Sequence, residues 1–424
     1  EGIGRNVAEP VVDMLFPAGS KGRIPIVAVT GTNGKTTTTR LNAHIAKTMG
    51  YKVGFTTSDG IYIQNRMMEK GDCTGPVSAK FVLMDPTIDY AVLECARGGL
   101  LKAGLAFDKC DISIVTNVTA DHIGLKDIDS VEEMAKVKSV VPETTRKEGY
   151  AILNADDDLV FDMRKNLECN LVLFSMDENN PRIKAHCERG GVAAVLEDGW
   201  VSIIKGTWKI RVEKVVNIPL TLGGKAAFMI QNILPCVAAA FVQNFKIEDL
   251  KLALNTFIPS PTMTPGRMNV FKFKHFEMLV DFAHNPDGFQ AISNYLAKVE
   301  MHPKVGVIAA AGDRRDEDIR ELGRIAGRTF DEIIIRQDKN LRGRTDEEIM
   351  NLLKEGIFEI NPNMPVICIN PEADSIKYCI ENAKKGSHIT VCSDVIAEAL
   401  NLIMQYKEKD DQFEFHKEEI PNVH

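Results

Sequence analysis

The sequence predicts an α/β protein with a large central domain and a smaller C-terminal domain, each built around a mostly parallel sheet. Short β-branched runs alternate with helical stretches, which favours parallel strands covered by helices on both faces. A proline-rich segment near residues 257–267 interrupts the pattern and marks a domain boundary. We therefore predict a lead-in or linker from an upstream module at residues 1–23, a central domain at 24–264, a second domain at 265–406 and a polar tail at 407–424.

The predicted elements follow in order. In the central domain the strands are predicted at residues 24–30, 90–93, 112–116 and 150–153, with a helix at 36–49. Residues 192–222 alternate around turn residues, which predicts a small antiparallel patch, and residues 223–245 then form a long apolar helix. In the second domain the strands are predicted at residues 278–282, 305–309, 332–335 and 366–369.

Composition excludes several classes of function. The formal net charge is −8, from 51 Lys and Arg against 59 Asp and Glu, so we expect neither nucleic acid nor a membrane as partner. The nine cysteines form no CxxC pair, which argues against a zinc cluster and is typical of a reducing cytoplasm. No long apolar run or signal peptide is visible, so we predict a cytoplasmic protein.

The strongest local signal follows the first predicted strand and opens the first predicted helix. There a glycine-rich turn lets backbone N–H groups and a helix N-terminus face a polyphosphate. Lys35 is expected to reach the terminal phosphates and the Thr36 hydroxyl to bind Mg²⁺. Val29 stands where the standard loop has its first glycine. The predicted nucleotide-binding residues of this loop are Gly31, Thr32, Asn33, Gly34, Lys35, Thr36 and Thr37.

The run TGTNGKTTTT resembles the ATP loop of the Mur ligase family, whose members are ATP-dependent ligases of peptidoglycan synthesis, folate polyglutamylation and cyanophycin synthesis. The resemblance implies a P-loop-type central domain and a Rossmann-like C-terminal domain. It also implies ATP and Mg²⁺ as cofactors. Further segments of the family pattern occur in the same order between residues 29 and 316.

The family pattern implies a set of metal ligands beside Thr36. Glu94, at the end of a predicted strand, matches a Mg²⁺-binding glutamate, and His122 matches a histidine that binds a second Mg²⁺. Lys138 matches a lysine that is carbamylated in many members, with Lys136 as the alternative. A carbamate would turn this cation into an anion able to help hold metal.

Three further matches imply contacts with the nucleotide. Asn232 matches an asparagine that contacts adenine, Arg267 in PGR matches an arginine that contacts phosphate, and Asp281 matches an aspartate that holds the ribose. With Arg267 near the domain boundary, we expect closure of the second domain to complete the site and exclude water. The predicted catalytic residues are Lys35, Glu94, His122, Lys138 and Arg267.

Other segments resemble the cyanophycin-synthesising branch of the family, including SDGIY at residues 58–62, GDCTGP at 71–76 and ARGG at 96–99. This implies an ADP-forming amide ligase that makes an acyl phosphate and adds arginine to aspartate side chains of a polymer. The implied partners are arginine, an Asp-rich primer, an upstream ATP-grasp module absent from this sequence, and further copies in a homo-oligomer. The candidate substrate residues are Asp313, Arg314, Arg315, Asp316, Asp338, Arg342 and Arg344.

Two alternatives remain open at this point. One is another ligase of the same type, with a different acceptor or with lysine as the donor. The other is a non-catalytic module that binds ATP and scaffolds an assembly, against which the intact Lys35, Thr36, Glu94, His122 and Arg267 argue.

Overall fold

Two sheets organise the fold of this computed structural model, which describes residues 7–16, 22–120, 128–337, 341 and 343–418. The larger sheet has eleven strands and the smaller one six in this described part. Both sheets are mainly parallel and carry helices, so the predicted fold class is confirmed.

The larger sheet has the strand order β11-β10-β9-β8-β7-β6-β1-β5-β2-β3-β4. Its strands are β1 (Ile26–Thr30), β2 (Val53–Thr57), β3 (Gly60–Ile63), β4 (Arg66–Lys70), β5 (Tyr90–Glu94), β6 (Cys110–Val115), β7 (Thr145–Asn154), β8 (Asn170–Ser175), β9 (Val192–Glu197), β10 (Trp200–Lys205) and β11 (Trp208–Lys214). β1 is buried along its whole length and pairs in parallel with β5 and β6, as its continuous apolar run requires. The carboxyl ends of these three strands therefore meet at one edge of the sheet.

Antiparallel hairpins extend the sheet at both ends. β9, β10 and β11 form the antiparallel patch expected near residues 192–222, and β9 joins it to β8 in parallel. At the opposite end β2, β3 and β4 form a second antiparallel meander, which the sequence did not predict. The turn between β2 and β3 places residues 58 and 59 at the same edge as the end of β5, because β2 and β5 run parallel.

Most helices in this part of the chain pack on the larger sheet or on one another, whereas the first helix, α1 (Ala8–Leu15), buries no residue. The others are α2 (Lys35–Thr48), α3 (Pro76–Leu83), α4 (Arg97–Ala103), α5 (Val131–Glu143), α6 (Asp158–Asp162), α7 (Pro181–Glu188), α8 (Ala227–Val242) and α9 (Ile247–Thr256). α2 starts directly after the phosphate loop and packs on β2, β5, α8 and α9. Most of α8 is buried, which explains its nearly continuous apolar sequence.

The smaller sheet has the order β12-β13-β17-β14-β15-β16, and only its edge pair β12–β13 is antiparallel. Its elements are β12 (Asn269–Lys272), β13 (Glu277–Asp281), α10 (Pro286–Leu296), β14 (Lys304–Ile308), α11 (Asp316–Thr329), β15 (Glu332–Ile335), α12 (Asp346–Ile360), β16 (Val366–Cys368), α13 (Glu372–Glu381), β17 (His388–Cys392) and α14 (Ile396–Glu418). α10 also contacts α8, so one apolar cluster continues from the central domain into the second.

Helices lie near both chain ends. A short helix, α1, lies inside the predicted lead-in at residues 1–23, and α14 continues to Glu418, well into the predicted polar tail at 407–424. α1 is a short segment of eight residues, and α14 lacks a clear apolar stripe, so neither helix is easy to recognise from periodicity alone. Among the described residues, no helix combines the length and apolar character that crossing a membrane requires.

Candidate functional site

The phosphate loop connects the buried end of β1 to α2, as the sequence predicted. Gly31 has φ +143° and Gly34 has φ +86°, and residues other than glycine rarely adopt such backbone angles. A Cβ atom on Gly31 would lie 1.9 Å from Thr116 Oγ1, and one on Gly34 would lie 2.1 Å from Asn232 Oδ1. Glycine is therefore required at both positions by conformation and by space.

Residues at the end of β6 hold the loop in shape. The Asn33 N–H donates to Asn117 Oδ1 at 2.8 Å, and the Thr32 N–H donates to the Asn117 carbonyl at 2.8 Å. The Thr116 hydroxyl donates to the Asn33 carbonyl at 2.7 Å. These bonds fix the loop at the start of α2. The N–H groups in the first turn of α2 have no partner within the helix, so this end is suited to bind phosphate.

Lys35, the first residue of α2, lies across this loop. Its Nζ donates to the Thr32 carbonyl at 2.7 Å, and its charge lies close enough to Glu94 to favour the ionised carboxylate. The ammonium is thus held over the bend where a terminal phosphate is expected.

Three oxygen-bearing side chains converge beside the loop. Thr36 Oγ1 donates to Glu94 Oε2 at 3.0 Å and lies 3.0 Å from Ser58 Oγ. Glu94 is buried, and burial raises the pKa of its carboxyl, while Lys35, Thr36 and Arg267 lower it. Mg²⁺ prefers oxygen ligands of this kind, so Thr36, Ser58 and Glu94 fit a magnesium ion.

Lys138 lies beneath the loop rather than on the surface. It is buried on α5, and its Nζ donates to the Gly31 carbonyl at 2.8 Å, whereas the alternative Lys136 is exposed. The location therefore favours Lys138 over Lys136 as the lysine of the site. Its carbamylation stays a prediction, and His122 lies outside the described residues.

Arg267 reaches the same cluster from the second domain. Arg267 is half-buried, and its guanidinium lies 4.6 Å from the centre of the Phe282 ring and donates to Ser58 Oγ at 3.5 Å. Burial lowers the pKa of Arg267, while the carboxylates of Asp281 and Glu94 oppose that shift. The guanidinium nevertheless remains charged, because an arginine pKa starts far above neutrality.

Asp281 is at the end of β13, close behind Arg267. Its two carboxylate oxygens accept the N–H groups of Met268 and Ala283, each at 2.9 Å. Burial raises the pKa of Asp281, and the Arg267 charge lowers it. The carboxylate thus shapes the backbone around Arg267, and its predicted contact with a ribose stays a prediction.

Two asparagines reach the phosphate loop from other elements. Asn285 Nδ2, at the start of α10, donates to Asn33 Oδ1 at 3.1 Å and so connects the two domains directly. Asn232 lies on α8 with its amide against Gly34, next to the loop rather than at a distance from it. Its predicted adenine contact is left untested by this placement.

Sequence reasoning missed three polar residues that the structure places at this site. Ser58 lies in SDGIY, which was matched only as a run. Asn285 lies shortly after the matched Asp281, and Asn117 shortly before the matched His122. Position at a strand end was the available signal, since polar residues there collect at the binding edge of a parallel sheet.

The described members of the candidate substrate set follow β14 and β15, and Asp316 among them is the first residue of α11. Arg344 donates to the carbonyls of Gly312 and Arg314 at 3.0 Å each, and pairs with Asp316 at 2.7 Å. Arg315 is exposed and pairs with Asp318 at 2.8 Å.

The remaining members of this set differ in burial. Arg314 is buried and Asp313 is partly buried in the loop that Arg344 binds. Asp338 and Arg342 lie outside the described residues. A role of these side chains in binding substrate stays a prediction.

The family comparison covers most of the chain. Residues 29–240 match the Mur ligase middle domain, and residues 266–395 match the Mur ligase, glutamate ligase domain. Among curated relatives, the cyanophycin synthetase of Geminocystis herdmanii is 48% identical over 406 residues, which cover 96% of this chain and 46% of the relative. That of Synechocystis sp. is 48% identical over 407 residues, with the same coverage of 96% and 46%. The chain thus spans about half the length of these relatives.

More distant proteins share the fold. The UDP-N-acetylmuramoyl-L-alanyl-D-glutamate--2,6-diaminopimelate ligase of Caldanaerobacter subterraneus is 26% identical over 377 residues, covering 87% of this chain and 72% of the relative. The structure of E. coli FolC in complex with ADP, without folate substrate, has a TM-score of 0.67 at 17% identity and covers 93% of this chain and 91% of that chain. A pseudomurein peptide ligase type C from Methanothermus fervidus has a TM-score of 0.62 at 20% identity, covering 91% and 79%.

Both family domains occur here in order, on a fold shared with these ligases, and nearly half of the residues are identical to those of curated relatives over almost the whole chain. The chain therefore belongs to the Mur ligase family.

Proposed function

We propose that this chain is an ATP-dependent, ADP-forming amide ligase that adds arginine to aspartate side-chain carboxylates of cyanophycin, a polymer with a poly-aspartate backbone. The observation that carries the ligase chemistry is the cluster of Thr36, Ser58 and Glu94 beside a phosphate loop, with Lys35 and Arg267 at the same place. Cations and oxygen ligands gathered there suit transfer of a terminal phosphoryl group.

In the proposed reaction, the aspartate carboxylate attacks the γ-phosphorus of ATP and the bond to the bridging oxygen breaks, giving an acyl phosphate and ADP. The α-amine of arginine then attacks the acyl carbon, and phosphate leaves as the amide forms. Lys35 and Arg267 stabilise the charge on the transferred group because they are held in place before the reaction. Mg²⁺ bound at Thr36, Ser58 and Glu94 would screen the charges of the phosphates.

The contacts between the domains support exclusion of water. Arg267 and Asn285 belong to the second-domain side and reach Ser58 and Asn33 on the first. An acyl phosphate hydrolyses in water, so a site completed by both domains protects it until the amine arrives. We propose residues 264 and 265 as the boundary between these domains.

The proposed substrates rest on the relatives named cyanophycin synthetase, of which this chain matches about half. Arginine is the first choice of donor and lysine the second. The other ligand assignments belong to the same proposal: His122 and Lys138 for a second metal ion, Asn232 and Asp281 for the nucleoside, and the loops at residues 312–316 and 338–344 for the donor or polymer.

Phosphate release in the presence of ATP, Mg²⁺ and an Asp-rich polymer tests this function. We expect release to require both the polymer and an amino acid, and arginine to support it better than lysine. Faster release with lysine would overturn the choice of donor, and release with muramyl peptides or folates in place of the polymer would overturn the acceptor.

A scaffold that only binds ATP gives a different result in the same assay. It would bind the nucleotide, as measured by calorimetry, yet release no phosphate with any amino acid. Incorporation of labelled arginine into the polymer, with one ADP formed for each arginine, would exclude this alternative.

A further inference from the structure

Arg40 is a buried cation that the proposed function does not use. It lies on α2 one helical turn beyond Thr36, so both side chains leave the helix on the same side. Only 5% of Arg40 is exposed. A buried guanidinium is costly unless charged and hydrogen-bonding partners surround it, so its contacts indicate its role.

Its first partners lie around the turn between β2 and β3. Arg40 Nη2 donates to the Asp59 carboxylate and to the Tyr62 hydroxyl, and the Tyr62 hydroxyl also donates to Asp59. The guanidinium carbon lies 4.6 Å from the centre of the Tyr62 ring. Burial raises the pKa of Asp59, but Arg40, Tyr62 and Thr57 together hold it below its ordinary value. These groups therefore form one charged, hydrogen-bonded cluster.

The third partner of Arg40 belongs to the interdomain linker, the proline-rich segment at residues 257–267 that joins the two domains. Arg40 Nη1 donates to the carbonyl of Met263 at 3.2 Å. The linker then turns sharply, since the Arg267 N–H donates to the Thr264 carbonyl at 3.0 Å. The guanidinium thus binds the chain four residues before Arg267.

The two segments that Arg40 binds carry residues that contact each other in the site. Asp59 is next in sequence to Ser58, and Met263 lies just before Arg267. The Arg267 guanidinium donates to Ser58 Oγ, which in turn lies against Thr36. One side chain therefore fixes the turn that carries Ser58 and the linker that carries Arg267 relative to the helix that carries Thr36.

We propose that Arg40, with Asp59 and Tyr62, is a positioning group that tethers the interdomain linker to α2 and so holds Arg267 in place for phosphoryl transfer. The inference rests on the proposed function, because it assigns Arg267 to the transferred phosphate. The tether itself is a property of the protein without substrate and is measured separately.

The main variant removes the tether without leaving a lone buried charge. Replacing Arg40 alone would strand the Asp59 carboxylate, so we choose the double variant Arg40→Met with Asp59→Asn. Tyr62→Phe is a milder second variant that keeps the ring and the ion pair. Arg146→Met is the matched control, because Arg146 pairs with Asp111 at 3.0 Å and has no contact with the linker.

Hydrogen exchange of the peptide at residues 258–268, without ATP, measures the tether. We expect exchange of the Thr264 and Arg267 amides to be about tenfold faster in the double variant, as fits the loss of a charge-assisted hydrogen bond. We expect a smaller increase in Tyr62→Phe and none in Arg146→Met. Unchanged exchange in the double variant would overturn the tether, whether or not the wild-type protein is a ligase.

Turnover measures the positioning of Arg267. We expect kcat of the double variant to fall about 10²-fold while the KM for ATP changes less than about threefold, since misplacement affects transition-state contacts more than binding. In Arg40→Ala, added methylguanidinium should restore part of kcat. Faster exchange in the double variant with unchanged kcat would overturn the positioning role. A loss of kcat in Arg146→Met equal to that in the double variant would overturn it as well. Wild-type protein that forms no amide would instead contradict the proposed function.

Discussion

The phosphate-loop site and the loops after β14 and β15 both collect charged residues at the carboxyl ends of parallel strands, yet their contacts differ. At the first site Thr36 and Glu94 are buried and hydrogen-bond to each other, and the half-buried Arg267 donates to Ser58. On the second, Asp316 and Arg315 are exposed and pair with neighbouring charges.

This difference fits the proposed function, in which the first region transfers the phosphoryl group and the second binds the amino acid or the polymer. Buried polar groups with fixed partners keep one geometry, which phosphoryl transfer requires. Exposed ion pairs contribute little energy and can exchange partners, which suits a surface that receives an amino acid or a charged polymer. Substitutions should therefore have large effects on the first region and small effects on the second.

The largest effect is expected for Lys35→Ala. Removing the ammonium over the bend should lower phosphate release by about 10³-fold, because a held cation stabilises the transferring group. Lys47→Ala is the control, since Lys47 is exposed near the far end of the same helix. Steady-state phosphate release measures both. Retained activity in Lys35→Ala would remove this loop from the mechanism.

Glu94→Gln is expected to lower turnover by about 10²-fold, and extra Mg²⁺ should recover only part of it, since a neutral amide is a weaker ligand. The same change should raise the midpoint of thermal unfolding without nucleotide or metal. Burial raises the pKa of Glu94 in the folded protein above that in the unfolded chain, so this group lowers the stability of the wild type as the pH rises, and glutamine does not.

The sign of this difference in stability between wild type and Glu94→Gln can be tested by varying the pH. As the pH falls through the raised pKa of Glu94, the wild-type carboxyl takes up a proton and loses the penalty. The gain of the glutamine variant should therefore shrink in acid, as measured by thermal unfolding at several pH values. A glutamine variant less stable than wild type at neutral pH would show that burial of the Glu94 carboxyl does not destabilise the folded protein.

Asn285→Ser should lower kcat about fivefold to tenfold, because it removes the hydrogen bond to Asn33 between the domains. Serine keeps the side-chain cap that Asn285 gives to Gly288. Asn180→Ser makes the same change at the cap of α7, far from the loop, and should leave kcat unchanged. Equal losses in both variants would point to helix stability instead of the contact between domains.

The smallest effects are expected on the loops after β14 and β15. Arg344→Met should raise the KM for arginine about threefold, because Arg344 holds the loop at Gly312 and Arg314. Arg315→Ala should change the free energy of unfolding by less than about 0.5 kcal/mol, since its pair with Asp318 is exposed. Initial-rate kinetics and denaturant unfolding measure these two changes. A loss of kcat in Arg344→Met as large as that in Lys35→Ala would contradict the expected difference in sensitivity to substitution between the two regions.

The fold class was predictable because each parallel strand is a short apolar run that repeats between helices. β1, β5 and β6 were predicted within two residues at either end. The meander β2–β3–β4 was missed. β4 is exposed along its whole length and lacks an apolar pattern, whereas β2 and β3 are largely buried but only five and four residues long. The polar residues from 407 onward were interpreted as a tail for a related reason, and α14 runs through them to Glu418.

The phosphate loop and Thr36 could be named from local spacing, and Glu94 and Arg267 from their match to the family pattern. Ser58, Asn117 and Asn285 could not, since their part in the site depends on which strands are neighbours. Asn117 lies at the loop because β6 pairs with β1, and Ser58 because β2 pairs with β5.

The sequence alone determined the alternation of strands and helices, the glycines of the bend and the charged residues that follow it. These features depend on backbone conformation and on burial along a single segment. Only the tertiary structure decided that Glu94, Ser58 and Arg267 meet at Thr36, and that Arg40 joins the linker to α2. Such contacts connect segments far apart in the chain, and the sheet order that brings them together results from packing of the whole domain.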